Sequence, residues 1–178
     1  YLARTGYTGE DGFEIFISGN PSEIWQLLVS QEGVTPCGLA CRDTLRLEAG
    51  MPLYGHELNR DLTPFSANLG KVIRFDKAEF VGKHALEEAK RPDKKLFGLK
   101  GEGRRAARAD YEVFMPGGED AIGTITSGVL SPTLQEPIAL ALLDSSLGLE
   151  VGGQVEADVR GTRIIYKVVE LPFYKRKK

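Results

Sequence analysis

The 178-residue sequence has few of the residues and motifs that common functional sites require. Its two histidines, His56 and His84, stand apart in the sequence, so we expect neither a metal site nor a catalytic histidine. It contains no GxSxG, P-loop or HExxH motif. No apolar run approaches the ~20 residues of a membrane helix, and a formal net charge of -2 argues against broad capture of nucleic acid. We therefore expect neither a membrane nor a nucleic-acid partner.

Cysteine is equally scarce, with Cys37 and Cys41 in the segment CGLAC. In a helix these two thiols would share one face, and the CxxxC spacing is not that of a zinc or thioredoxin-like site. We expect two buried, reduced cysteines, which suits a reducing compartment. Positive charge is concentrated in the last four residues, 175–178, which form either a solvated end or a contact for an anionic ligand.

The first half of the chain mixes helical and strand patterns. Strict alternation predicts a strand at 13–17, and NLGKVIRF at 68–75 looks like another strand. Three helices are predicted, at 20–31, at 38–49 and within 81–91; Asn20 caps the first, and Gly50 with Pro52 closes the second. This is a small inventory for a closed α+β domain, so we expect these residues to complete a domain that begins elsewhere.

From Lys95 onward the helical periodicity disappears and short β segments follow one another. Six such segments, separated by turn signals, predict a small barrel or sandwich. They are KLFGLKG, YEVFM, AIGTITSG, IALALLD, QVEADVRG and TRIIYKVVEL. The predicted fold class is thus α+β followed by all-β, with a boundary near 92–95 in RPDKK.

The opening stretch RTGYTGEDGFEIF places glycine at every third position and then sets Glu14 among apolar residues. A carboxylate there either faces solvent, pairs with an arginine, or accepts hydrogen bonds from a ligand edge that carries two adjacent N–H groups. Arg42 lies one turn before Arg46 on the second predicted helix, and Asp43 can pair with Arg46. Arg42 lacks such a partner, so it either forms a structural ion pair elsewhere or meets a ligand. Ser127 and Ser131 have no histidine near them in sequence and are interpreted as turn residues.

Three separated blocks now point to one family. TGYTGEDGFEIF, CGLACRDTLRLEAGMPLYGHEL and GTITSGVLSPTLQEPIALALL closely resemble the glycine cleavage T-protein family, the aminomethyltransferases. The blocks occur in the family's order, and FVGKHAL and LPFYKRKK fit as well. The resemblance extends over the whole chain, which corresponds to the C-terminal half of a family member.

The resemblance implies a tetrahydrofolate-dependent reaction. The substrate would be the aminomethyl group on a lipoyl carrier protein, and the products would be ammonia and 5,10-methylenetetrahydrofolate. Glu14 and Arg42 match folate contacts of the family, and Tyr7 matches a tyrosine that lines the cavity. The basic tail matches a segment that approaches the folate site in some members.

The resemblance also implies an architecture. Residues 1–92 would be the C-terminal part of a ferredoxin-like folate-binding domain, and 95–178 would be the C-terminal β-barrel. The missing N-terminal half would be a partner, and because the family's catalytic aspartate lies there, we expect no catalytic residue in this chain and no activity from the chain alone. We expect no metal, and a cytoplasmic location, or the mitochondrial matrix in a eukaryote.

Two residues depart from the family pattern: Asp110 and Gln135 occupy positions where glycine is common in the family. We therefore expect the adjoining turns to differ. Alternative interpretations are the folate-binding module of a dimethylglycine or sarcosine dehydrogenase-like enzyme and a non-catalytic carrier-docking domain. The ending PFYKRKK argues against the first. A related folate-binding protein of iron–sulfur assembly is disfavoured, because its K-G-C-Y motif does not occur here.

Overall fold

The first half of the chain is built from short elements joined by turns. A computed structural model describes residues 1–176. Two two-residue strands pair antiparallel, with Leu2 opposite Ile15 and Ala3 opposite Glu14. The elements are β1 (Leu2–Ala3), β2 (Glu14–Ile15), α1 (Ser22–Val29), α2 (Leu39–Glu48), a 3-10 turn (Gly70–Val72) and α3 (Lys83–Glu88).

The second half closes into a six-stranded antiparallel barrel. All six β segments that the sequence predicts are strands, and their order around the barrel is β3-β6-β5-β4-β7-β8. The pairing of β3 with β8 closes the barrel, with Gly98 opposite Val169. The strands are β3 (Lys94–Gly101), β4 (Glu112–Phe114), β5 (Ala121–Leu130), β6 (Pro137–Asp144), β7 (Gln154–Asp158) and β8 (Arg163–Val169).

Strand β6 joins two hydrophobic cores. Seven of its eight residues are buried, so its sequence PIALALLD shows no polar alternation. Ala139, Ala141 and Leu143 face the barrel interior and pack in its core. The alternate residues Ile138 and Leu140 belong to a second core that contains Leu47 of α2. Helix α2 therefore packs against the outside of the barrel, and β6 is covered on both faces.

Helix α2 ends in a Schellman motif, as the predicted stop at Gly50 requires. Gly50 has φ +67, and its N–H donates to the Leu47 carbonyl at 2.8 Å. The Met51 N–H donates to the Arg46 carbonyl at 2.8 Å, which completes the pair of bonds. A side chain on Gly50 would also meet Leu171 at 3.2 Å, so glycine serves both the turn and the approach of the C-terminal segment.

The strand predicted at 68–75 is wrong. The chain there makes consecutive turns and a 3-10 helix at Gly70–Val72. Asn68 adopts φ 60, and its side chain donates to the Leu96 carbonyl at 2.7 Å, which fixes this turn against β3. Gly70 lies against the Phe65 ring, where a Cβ would be 2.8 Å away. These tertiary contacts override the local alternation.

The predicted helix and strand before α2 are present but shorter and more exposed than expected. Pro21, one residue after the predicted cap, is the N-cap of α1, and no side chain caps it. The Asn20 side chain accepts from the Ser22 N–H at 3.0 Å just before the helix. The alternating residues of the first strand are exposed, with Phe13 at 61%. The apolar stripe of α1 is exposed as well, with Leu27 at 63%. This part of the chain presents a broad apolar surface.

The predicted burial of the cysteines is also wrong. Cys37 and Cys41 are free and exposed. Cys37 precedes the first residue of α2, and neighbouring Leu39 is exposed too, so this end of the helix projects beyond the barrel that buries its other end. A hydrogen bond with Cys37 raises the pKa of the Cys41 thiol.

Both departures from the family's glycine pattern fall on left-handed backbone. Asp110 has φ 69 and Gln135 has φ 58. Few non-glycine residues adopt this region, which explains why glycine suits these two turns.

One close approach in the barrel gives a test of the fold. A Cβ on Gly128 would lie 2.2 Å from the Ala107 carbonyl oxygen, and Ala107 is buried in the barrel core. We expect Gly128→Ala to lower the free energy of unfolding by about 1–3 kcal/mol, because overpacking forces the backbone to move. Gly6→Ala, whose nearest contact is 4.0 Å away, is the control for urea denaturation. Equal unfolding midpoints for the two variants would contradict the packing described here.

Candidate functional site

The glycine-rich stretch forms a compact turn beside the end of α2. Arg4 donates to both carboxylate oxygens of Asp11, at 3.0 and 2.6 Å, and so ties the two sides of the turn together. Gly9 has φ +73, and a Cβ there would lie 2.8 Å from the Cβ of Ala49. The turn can approach the helix only with glycine at this position.

Tyr7 and Arg42 lie together on one side of this turn. The Tyr7 hydroxyl donates to the Pro52 carbonyl at 2.5 Å, and the Arg42 guanidinium lies over the Tyr7 ring, 4.9 Å from its centroid. This is a cation–π contact, which orients the guanidinium without neutralising it. Partial burial raises the pKa of the Tyr7 phenol, which therefore remains a protonated donor at neutral pH.

Glu14 is exposed on β2 and faces no cation at ion-pair distance. Its Oε2 accepts a hydrogen bond from the Thr5 hydroxyl at 2.5 Å. Within residues 1–176, neither Glu14 nor Arg42 takes part in an ion pair of 4.0 Å or less. Both charged groups thus keep hydrogen-bonding capacity for something outside the described chain. The structure brings Tyr7 and Arg42 into contact, whereas Glu14 lies on β2 and contacts neither of them in a hydrogen bond or ion pair.

A buried ionic network, which the sequence did not reveal, attaches α2 to the barrel. Arg46 is 1% exposed and donates to Glu57 Oε2 at 3.2 Å and to the Ser127 hydroxyl at 2.8 Å. Ser127 in turn donates to Glu57 Oε1 at 2.6 Å. The predicted pair of Arg46 with Asp43 is also present, at 2.7 Å. Each buried charge therefore has an opposite charge and further hydrogen bonds.

The same network holds the segment 51–53 that follows α2. Glu57 Oε2 accepts from the Leu53 N–H at 2.8 Å, and Arg46 donates to the Met51 carbonyl at 3.3 Å. Pro52 lies between these two anchored residues and is the acceptor for Tyr7. The position of the Tyr7 hydroxyl is thus linked to a barrel strand through hydrogen bonds and one short stretch of backbone, from Leu53 to Pro52.

A second buried carboxylate attaches α2 to the turn after β5. Glu48 is 3% exposed and accepts from the Ser131 hydroxyl. It also accepts from the Thr133 hydroxyl at 2.9 Å and from the Thr133 N–H at 3.3 Å. The interpretation as turn residues is wrong for Ser127, which lies within β5, and holds for Ser131, which begins the turn after that strand. Both side chains are buried partners of carboxylates. Arg46, Leu47 and Glu48 are consecutive at the end of α2 and all three are buried, which helical periodicity does not predict.

The C-terminal segment reaches the glycine turn. The Tyr174 N–H donates to the Glu48 carbonyl at 2.9 Å, and Arg176 lies 3.2 Å from Glu10 of the turn. A hydrogen bond with Glu10 raises the pKa of the Tyr174 phenol. The last two lysines of the predicted basic tail, Lys177 and Lys178, lie outside the described residues.

One of the two histidines makes a structural contact with the barrel. The ring Nδ1 of His56 is 2.8 Å from the Thr126 carbonyl, which is a structural contact with the barrel. The described residues contain no group of three or more metal-ligating side chains. Among them, no helix is long and apolar enough to cross a membrane.

The two arginines of α2 give a matched test of the buried network. Arg46→Met leaves Glu57 buried without its cation, so we expect the free energy of unfolding to fall by about 3–5 kcal/mol. Arg42→Met removes an exposed cation–π contact from the same helix, and we expect a loss of about 1 kcal/mol or less. Urea denaturation of both variants measures the difference. Similar losses would show that burial of Arg46 does not dominate this end of the helix.

Comparison with known proteins finds two matching domain profiles and close relatives of this chain. The profile of the GCVT N-terminal domain matches residues 1–77, and that of the glycine cleavage T-protein C-terminal barrel domain matches residues 94–175. The aminomethyltransferase of Streptomyces avermitilis is 54% identical over 99% of this chain and 50% of its own length. That of Cutibacterium acnes is 54% identical over 98% of this chain and 48% of its own length.

The fold agrees with a solved structure. The crystal structure of glycine cleavage system aminomethyltransferase T from Bartonella henselae superposes with a TM-score of 0.91 at 37% identity, over 98% of this chain and 49% of that chain. The chain spans about half the length of the curated relatives it matches. Two domain profiles in consecutive order, relatives above 50% identity and a shared fold lead to one conclusion: the chain belongs to the glycine cleavage T-protein family of aminomethyltransferases.

Proposed function

We propose that this chain supplies the second half of a tetrahydrofolate-dependent aminomethyltransferase of the glycine cleavage system. The enzyme takes the aminomethyl group from the lipoyl arm of a carrier protein, releases ammonia and forms 5,10-methylenetetrahydrofolate. The observation that carries the proposal is the 54% identity with a named aminomethyltransferase over 99% of the chain. The proposed location is the cytoplasm, or the mitochondrial matrix in a eukaryote.

In this proposal the glycine turn, the first turns of α2 and the segment 51–53 form one wall of the folate site, called the folate wall below. Glu14 accepts hydrogen bonds from the amino and ring N–H groups of the pterin, since a carboxylate has two oxygens in parallel. Arg42 donates to a carbonyl or carboxylate of the folate, and Tyr7 lines the cavity. Two observations support these roles. Neither Glu14 nor Arg42 forms an ion pair within residues 1–176, and the Arg42 guanidinium lies over the Tyr7 ring.

The proposed division of the chain follows the family. Residues 1–92 form the C-terminal part of the ferredoxin-like folate-binding domain, and 95–178 form the C-terminal barrel. The exposed apolar surface around Phe13 and Leu27 suits contact with the rest of that domain, because burial of such a surface is favourable. The relatives are about twice as long as this chain, which supports an N-terminal half of the same protein as the partner segment. By resemblance to the family, that half carries the catalytic aspartate.

A non-catalytic role in docking the lipoyl carrier protein is the alternative. It predicts capture of the lipoylated carrier without measurable folate affinity. The proposed enzyme binds both. Folate titration alongside a pull-down with the purified carrier therefore separates the two roles.

The role of Glu14 is tested in the protein at its full natural length. Glu14→Gln keeps the side-chain volume but removes the charge that strengthens each hydrogen bond, so we expect tetrahydrofolate binding to weaken about tenfold or more. Isothermal titration measures the dissociation constants. Glu23→Gln, an exposed carboxylate on α1, is the matched control and should bind like the wild type. Unchanged affinity in Glu14→Gln would reduce Glu14 to a structural residue.

The 178-residue chain by itself should show no aminomethyl transfer. The reason is that no residue of this chain matches the family's catalytic aspartate and that only part of the cavity wall is present. Production of methylenetetrahydrofolate from the aminomethylated carrier is the measurement, with the full-length protein as the positive control. Turnover by the purified chain, free of longer forms, would refute this expectation.

A further inference from the structure

We infer that Ser127, acting with Glu57, is a positioning residue for folate binding: a barrel strand sets the place of Tyr7 through the segment 51–53. The inference rests on the proposed function, because it concerns the folate wall. The proposed folate contacts, Tyr7, Glu14 and Arg42, all lie outside the barrel, so the inference gives the barrel a role of its own. Neither Ser127 nor Glu57 forms a hydrogen bond with Tyr7 or Arg42.

The connection consists of four short steps. Ser127 on β5 donates to Glu57 Oε1 at 2.6 Å. The other oxygen of Glu57 accepts from the Leu53 N–H at 2.8 Å. Pro52 precedes Leu53 in the chain, and its carbonyl accepts from the Tyr7 hydroxyl at 2.5 Å. The Tyr7 ring carries the Arg42 guanidinium on its face, at 4.9 Å.

Burial makes this connection stiff. Glu57 is 0% exposed and Ser127 is 5% exposed, so water does not readily replace a lost bond. Glu57 uses both oxygens, one toward the barrel and one toward the segment 51–53. Loss of the Ser127 hydroxyl frees one oxygen and allows the carboxylate to turn toward Arg46, away from the geometry that holds Leu53. Hydrogen bonds in such a low-dielectric network strengthen one another, so loss of the bond from Ser127 weakens the bond between Glu57 and Leu53.

The molecule contains a natural control for this inference. Ser131 also donates from the barrel to a buried carboxylate of the same region, Glu48 of α2. That carboxylate bonds with Thr133 and makes no hydrogen bond with the segment 51–53. Ser127→Ala and Ser131→Ala thus remove equivalent hydroxyls from two parallel anchors, of which only one leads to Tyr7.

The experiment measures tetrahydrofolate affinity in the full-length protein by isothermal titration, well below the melting temperature of every variant. We expect Ser127→Ala to weaken binding about three- to tenfold, the effect of one net hydrogen bond, and Ser131→Ala to stay within about twofold of the wild type. Both variants should lose thermal stability. If Ser127→Ala does not fold, Ser127→Cys keeps the volume with a much weaker donor, and the same loss of affinity is expected.

A double-mutant cycle with Tyr7→Phe separates positioning from general destabilisation. Once the Tyr7 hydroxyl is gone, the path from Ser127 is cut, so Ser127→Ala should cause less than about twofold further loss. Equal affinities of the Ser127 and Ser131 variants, or fully additive losses with Tyr7→Phe, would overturn the inference while leaving the proposed function intact. Absence of tetrahydrofolate binding in the wild type would instead overturn the proposed function.

Discussion

The buried ion pair between Arg46 and Glu57, together with the Ser127 hydroxyl that bonds both of its members, is the interaction on which the arrangement of the two halves depends. An isolated charge inside a protein is costly, and a buried pair is tolerated only when its geometry and remaining hydrogen bonds are satisfied. Here Ser127 of the barrel donates to Glu57 and accepts from Arg46, which closes the network. Both charges lie in the first half of the chain, so a shift of α2 on the barrel would leave them paired but would remove their hydrogen bonds with Ser127. Hydrophobic contact alone would tolerate sliding, since apolar attraction has no direction.

The barrel supplies the platform for this geometry. Closure of the sheet fixes β5 and β6, and β6 is buried on both faces because α2 covers its outer side. A series of contacts leads from the barrel to the glycine turn. The barrel holds α2 and the segment 51–53, that segment holds Tyr7, and Gly9 lets the glycine turn lie against Ala49. The spacing of glycines in the opening stretch thus reflects one close contact, at Gly9, more than a general need for flexibility.

Local patterns in the sequence were sufficient for the six strands and for α2, while the choice of a barrel over a sandwich came from the family resemblance. Short β segments separated by turn residues identify all six strands, and Gly50 marks the end of the helix. The buried network was out of reach, because Arg46 and Ser127 are 81 residues apart and arginine is seldom buried. The predicted burial of the cysteines and of the apolar stripe of α1 was wrong for a related reason. Amphipathic spacing shows which face of a helix could be buried, but not whether a partner covers that face. Of the proposed site, the resemblance supplied Tyr7, Glu14 and Arg42, while only the structure joins Tyr7 to the barrel.

The proposed folate wall consists of the glycine turn, the first turns of α2 and the segment 51–53. Hydrogen–deuterium exchange of the full-length protein, with and without saturating tetrahydrofolate, tests it most directly, because ligand contact slows local opening of the backbone. We expect slower exchange on folate addition in peptides covering 4–16 and 39–53, with little change in the distant barrel strands β7 and β8. Protection confined to the barrel, or exchange in 4–16 and 39–53 that folate does not alter, would contradict it.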